Sequence, residues 1–418
     1  MDHGVETVAI LLLVAAAVAM LAQRLRMPYA TGLVVTGIAL ANIPHAPHVS
    51  MTRDLIFTVL LPPLIFEAAL FLPWQLLRRE MPVVVLLATV GLLIAAAVTA
   101  SGMHWLAGWP PLSAALFGAL ISATDPVSVI ALFRQSGIKG RLRILVEAES
   151  LFNDATAAVL FGLLLAVAQG THPTLAGALR DISITTAASV ACGALAALPL
   201  SWLAARSADH LVRITLSLVA AYAPFLAAEH FRLSGVLATM TAGLVAARYG
   251  AGSPGARKTH ESVEAFWEVV AFLANSLIFL LIGMHEGGLQ RAVGSDRIST
   301  MGTAAIAVAA VLAGRAATIY PLSSLFFATR WRIAGTHQHI LFWGGLRGAL
   351  ALALALGLPP DLPLREPIVA ACFAVVIFSL VVQGLTMAPL LAALGIVARE
   401  PAKGGNPASR PDVPPSGP

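Results

Sequence analysis

The sequence predicts an all-α membrane protein of about 13 transmembrane helices in two inverted repeats, with helices 5 and 12 interrupted. Three observations predict it. Of 418 residues, 58% are hydrophobic and only 11% are charged, less than half the roughly 25% charge that a water-facing surface requires. Apolar runs of about 20 residues, each enough to cross roughly 30 Å of hydrocarbon as a helix, recur from end to end. Basic residues are distributed unevenly between those runs. Backbone groups in lipid must be satisfied within their own segment, so the runs are helices.

The segments lie near 5–22, 28–43, 54–72, 82–101, 112–133, 142–168, 181–205, 211–228, 233–249, 262–285, 299–327, 336–357 and 366–394. With the N-terminus outside and strict alternation, the inside loops hold eighteen of the 26 lysines and arginines and the outside loops six. Only Arg315 and Arg347 remain, both inside apolar segments. That is the bias of the positive-inside rule, and one segment more or fewer would scramble it. Val5 to Leu21 follows Asp2 and Glu6 and runs into Arg24 and Arg26, which reads as an uncleaved first helix rather than a signal peptide. Residues 1–398 form the transmembrane domain. Past Arg399 the composition turns to Pro, Gly, Ser and charge, a disordered cytoplasmic tail over 399–418.

Composition also excludes. The basic residues are spread over loops, so no nucleic-acid partner is expected. Cys192 and Cys372 sit in apolar stretches and read as inert buried thiols. The histidines show no metal-ligand spacing and there is no His-Glu-x-x-His stretch. No nucleophile stands with a base, so an intramembrane enzyme is not expected.

Segment five carries Thr124-Asp125-Pro126 in its middle, and segment twelve carries Gly344-Gly345-Leu346-Arg347-Gly348. Proline removes a backbone donor and biases the preceding residue away from helix. The interruptions are seven segments apart, as in two halves of opposite orientation. Interrupted helices at corresponding places in such halves point to a transporter's binding site.

A charged side chain at the bilayer centre costs about 3 kcal/mol on insertion scales, so each needs a partner or a task. The candidates are Glu67, Asp125, Glu149, Asp154, Glu229, Arg315 and Arg347. Ser150 and Asp154 are four apart on one helix face, with Glu149 and Asn153 on a neighbouring ridge. Asp154 and Ser150, joined by Asp125 and carbonyls freed at the Thr124 break, supply the oxygens a monovalent cation wants. A hydrogen bond between Asp154 and a neighbouring helix is the plainer alternative, and helix capping is the plainer one for Asp125. Arg347 needs an anion, and Glu149 is the expected partner in a locking ion pair. Glu67 reaches the site or lines its approach. Glu229 lies near the outer end of segment eight, where water suffices.

These residues resemble the sodium/proton exchangers of the monovalent cation:proton antiporter-1 family in their bacterial form. The resemblance runs through LPPLIFEAAL (61–70), SATDPVSVIALF (122–133), ESLFNDATAAVLF (149–161), LSGVLATMTAGL (233–244), FWEVVAFLANSLIFLLIG (266–283), WGGLRGALALALAL (343–356) and QGLTMAPLL (383–391). It implies thirteen helices in two inverted repeats, a six-helix core moving against a dimerisation domain, and a homodimer in the cell inner membrane. It implies cation ligation by Asp154, Ser150, Asp125 and the backbone of Thr124, with Glu67 close by. Glu149 and Arg347 match a structural ion pair beside Asn153, and Arg315 matches a further basic position of unspecified role. No cofactor is implied; sodium and protons are the transported ions.

Removal from water favours the protonated form of a carboxyl, and a bound cation favours its charged form. Protons and sodium, or lithium, would then compete for Asp154. Asn153 cannot ionise, so electroneutral exchange is expected. The same scaffold also suits a potassium/proton antiporter and, more remotely, a cation channel, since selectivity depends on cavity size and ligand number.

Overall fold

The computed structural model describes residues 2–25, 27–43, 52–171, 174–250, 256–292 and 297–396, and the expected tail over 399–418 lies outside these described residues. The helices are α1 (Asp2–Leu25), α2 (Tyr29–Ala41), α3 (Leu61–Leu70), α4 (Trp74–Leu86), α5 (Leu92–Ala107), α6 (Pro111–Ser122), α7 (Val127–Gln135), α8 (Arg141–Ala168), α9 (Leu175–Arg206), α10 (His210–His230), α11 (Gly235–Gly250), α12 (Ala256–Ala292), α13 (Arg297–Ser324), α14 (Gly335–Trp343), α15 (Ala349–Leu356), α16 (Arg365–Phe378) and α17 (Gly384–Ala393). Among the described residues there is no strand. Wider π-helical turns at Leu55–Leu60, Leu87–Gly91 and Ser379–Gln383 lead into α3, join α4 to α5 and join α16 to α17. Carbonyls in all three turns take hydroxyl partners from other helices, Tyr222 donating to Val59 O at 2.7 Å in the first. Thr318 donates to Gly91 O at 2.9 Å and Thr31 to Leu380 O at 2.6 Å, which keeps backbone acceptors satisfied away from water.

Among the described residues, nine helical runs are long and apolar enough to cross a membrane, and Tyr29–Ala41, Leu55–Leu70 and Gly235–Arg248 are shorter apolar helices. The α14/α15 pair falls on the twelfth predicted segment. Large apolar side chains such as Leu13 and Leu195 are left bare, at 72% and 71% exposure, as suits a surface bathed in lipid rather than water.

The packing pairs carry the repeat. With α4/α5, α6/α7, α14/α15 and α16/α17 each counted as one segment, a shift of seven segments converts the α2–α12 contact into the α3–α11 contact. It also converts α4–α8 into α13–α16, and α1–α2 into α10–α11. The α5–α13 and α6–α15 contacts map onto themselves. At the α2–α12 contact, Gly37 and Gly283 let the backbones touch: a Cβ on either would collide with a carbonyl of the other helix.

The loops sort into two sets, as alternation demands. On one side Arg141 donates to Trp331 O and Arg332 O, Trp331 to Arg79 O, and Arg134 pairs with Glu268. On the other, Ser113 donates to Pro363 O, and Arg53 packs on Gly357. A small cluster of Phe66, Ala197, Ala220, Ala221, Ala242 and Trp267 ties α3 to α9–α12. One half of each interrupted helix is deeply enclosed: most of α6 and every residue from Ala349 to Ala355 in α15 are buried, so the crossing sits inside protein, where irregular backbone is tolerated.

Candidate cation site at the helix crossing

Breaking two helices inside a membrane exposes four half-helix ends. Each end must find hydrogen-bond partners. The chain meets this need with three charged residues. The Asp125 carboxylate accepts from Val127 N at 2.9 Å and lies against Gly348 with the Ala349 N–H within its reach, so one anion stands at the N-termini of both α7 and α15. This is the favourable end of each helix dipole for negative charge. The two breaks are also bonded directly, Asp125 N donating to Leu346 O at 2.8 Å. Arg347 Nη1 donates to Ser122 O and Ala123 O at 2.6 and 2.9 Å, at the C-terminal end of α6. Pro126 has no N–H to offer Ser122 O, so that carbonyl needs an outside donor. Arg315 donates through Nε and Nη2 to Leu341 O at 3.2 and 2.8 Å, at the end of α14.

This corrects the expected ion pair. Glu149 is held by Arg315, not by Arg347: Nη1–Oε1 is 2.6 Å and Nη2–Oε2 is 2.9 Å, a bidentate contact between residues 3% and 7% exposed at their side chains. The physical reason is that the Arg347 guanidinium is drawn to the carbonyls freed at the other break. Glu149, Asp154 and Arg315 all lie within its electrostatic reach. The glycine run now has a cause as well. A Cβ on Gly345 would come within 2.7 Å of Arg315 Nε, and one on Gly348 would collide with the Asp125 carboxylate. Gly348→Ala is therefore expected to displace Asp125, costing about 1–3 kcal/mol and most of the transport activity. Thermal unfolding and flux measured side by side check this.

From α8, Asn153 ties the first break in place. Its Oδ1 accepts from Thr124 N at 3.1 Å, and its Nδ2 donates to Thr124 Oγ1 at 2.7 Å and to Glu149 Oε1 at 3.2 Å. Ser150 joins the same knot, donating to Thr124 O while accepting from Thr124 Oγ1 at 3.2 Å. Ser150 and the Thr124 carbonyl thus satisfy each other here, and a cation drawing on both oxygens would have to open that bond.

Asp154 is different. It is half-buried, lies within electrostatic reach of Asp125, Glu149 and Arg347, and makes no hydrogen bond or ion pair with another described residue. Neighbouring Ser150, Asn153 and Glu149 are each 2% exposed and fully engaged. Asp154 alone on this turn offers an unclaimed carboxylate.

Glu67 falls outside the crossing. The charged groups within its electrostatic reach are Arg134, Glu147, Glu268 and Arg143. Tyr29 is the link, with both Asp125 and Glu67 within its reach. Glu229 caps a helix: its Oε1 accepts from Gly235 N at 3.1 Å at the start of α11, with Arg53 nearby. Sequence reasoning missed the backbone N–H of Ala349, the Leu341 carbonyl and the role of Gly348. Only the glycine carried a signal.

A multi-pass helical protein whose buried charges converge on two crossed, interrupted helices is built as a membrane transporter. The chain belongs to the sodium/hydrogen exchanger family, whose transmembrane model matches residues 8–393. It is 37% identical over 380 residues, 89% of this chain and 70% of the relative, to the Na+/H+ antiporter ApNhaP of Aphanothece halophytica. It is 32% identical to the Na+/H+ antiporter NhaH of Halobacillus aidingensis, over 94% of this chain and 100% of that protein. Its fold is that of the sodium proton antiporter MjNhaP1 of Methanocaldococcus jannaschii, with a TM-score of 0.73 at 18% identity, covering 94% of this chain and 97% of that one.

Proposed function

We propose that this chain exchanges Na+, and Li+, for H+ across a bacterial inner membrane, with cation and proton competing for Asp154. The observation that carries the reading is the Asp154 carboxylate: half-buried, beside the helix crossing, with no hydrogen-bond partner among the described residues. The antiporter names of its relatives support the choice of ions. Asp125 joins Asp154 as a ligand, and Ser150 and the Thr124 carbonyl join when their mutual hydrogen bond opens. Glu67 conducts ions along the approach. Arg315, Glu149, Asn153 and Arg347 hold the frame.

A bare carboxylate in the membrane interior costs about 3 kcal/mol on insertion scales. The loaded site, neutralised by a proton or a cation, crosses; the empty one does not, and exchange is obligatory. Asn153 beside it cannot ionise, so one cation is exchanged per proton without net charge. The orientation follows the basic loops: N-terminus outside, C-terminus cytoplasmic. The functional unit is a homodimer.

The test is reconstitution into vesicles carrying a pH dye, titrated with sodium, lithium and potassium. Sodium is expected to drive proton movement at a rate unchanged by an imposed membrane voltage. The apparent sodium KM should rise about tenfold per pH unit on the acid side of the profile, at constant maximal rate, as single-proton competition requires. Proton flux without a counter-cation would mean a channel, and a response to potassium alone would reassign the ion.

A further inference from the structure

Away from the crossing, one corner of the molecule gathers arginines that no carboxylate answers. The loop between α13 and α14 is pinned against α4 and the start of α8. Arg141 donates to Trp331 O at 2.8 Å and Arg332 O at 2.7 Å, and Trp331 Nε1 donates to Arg79 O at 2.8 Å. Glu80, the acidic residue next to Arg79, is engaged by Arg141 at 2.9 Å. That leaves Arg78, Arg79, Arg330 and Arg332, all exposed and without an ion pair among the described residues. Arg330 and Arg332 flank Trp331, whose indole bonds to the Arg79 backbone, so the loop's hydrogen bonds keep these four positions in one corner.

The rings beneath them set their geometry. The Arg330 guanidinium lies 4.5 Å over the Trp331 ring, and that of Arg332 lies 4.5 Å over the Phe327 ring. A guanidinium held by its face on an aromatic ring keeps its N–H edge free. That edge matches two oxygens of a phosphate. Beside these charges, Leu325 and Phe327 are 65% and 66% exposed. An inorganic phosphate would use the arginines but leave this apolar surface bare, whereas a phospholipid would use both.

We propose that this corner binds an anionic phospholipid, its phosphate among Arg78, Arg79, Arg330 and Arg332 and its acyl chains against Leu325 and Phe327. The orientation proposed above makes this the inner leaflet, but the binding itself does not depend on the exchange reading. Basic pockets between membrane helices take anionic headgroups by this combination of charge and apolar contact.

The test is native mass spectrometry of the purified full chain with phosphatidylglycerol, with phosphatidylcholine, and with phosphatidylglycerol plus excess inorganic phosphate. The parent should retain phosphatidylglycerol in preference to phosphatidylcholine, and phosphate should not displace it. Arg78→Gln/Arg79→Gln and Arg330→Gln/Arg332→Gln should each weaken that retention about tenfold, and the four together more. The Arg78/Arg79 pair keeps the test open if the loop variants misfold, because Trp331 bonds to the Arg79 backbone. Equal retention of phosphatidylglycerol by parent and variants, no preference over phosphatidylcholine, or displacement by phosphate would each overturn the proposal.

Discussion

Asp154→Asn is expected to abolish cation-driven proton movement in vesicles, to the level of protein-free controls, while the protein remains folded and inserted. Asparagine keeps the volume and removes only the ability to change charge. Because Asp154 bonds to no other described residue, the substitution breaks no network, and stability should change within about 0.5 kcal/mol or improve. This separates it from its neighbours. Asn153 or Ser150 variants would loosen the Thr124 break directly, so their lost activity would say less about ion chemistry. Exchange at the parental rate by Asp154→Asn would remove this residue from the mechanism.

Arg315→Ala should give the largest loss of stability, about 3–5 kcal/mol, because it strands Glu149 as an uncompensated buried charge. The same change also deprives Leu341 O of both of its arginine donors. Adding Glu149→Gln to Arg315→Ala should restore much of the loss, since the stranded charge is gone. It should do little for Arg347→Ala, whose damage lies in the Ser122 and Ala123 carbonyls. The readout is the thermal unfolding midpoint of each single and double variant in one detergent. Rescue of Arg347→Ala rather than Arg315→Ala would favour the pairing expected from sequence over the one observed.

That pairing marks where the sequence ceases to be legible. The positions of both breaks could be read because Pro126 and the glycines at 344, 345 and 348 act locally, on their own backbone. The helical segments could be read because lipid permits little else. Which arginine meets Glu149 was beyond reach, since Arg315 and Arg347 both stand in apolar segments and either satisfies a buried carboxylate. The choice is made by carbonyls set free elsewhere, which depend on how two breaks cross. Glu67 illustrates the same limit: an acid in an apolar helix asks for a partner or a task, but only packing places it within electrostatic reach of Arg134 and Glu268 rather than among the residues of the crossing. An oxygen count suggests Ser150 and the Thr124 carbonyl as ligands, but sequence does not reveal that the Ser150 hydroxyl donates to that carbonyl.

The proposed exchange needs a single site that trades one ion for the other, and proton release on cation binding measures this directly. Sodium added to the purified protein in weakly buffered, dye-containing solution is expected to release about one proton per cation bound, with no release from Asp154→Asn. Sodium binding that releases no proton, or release that persists in that variant, would contradict it.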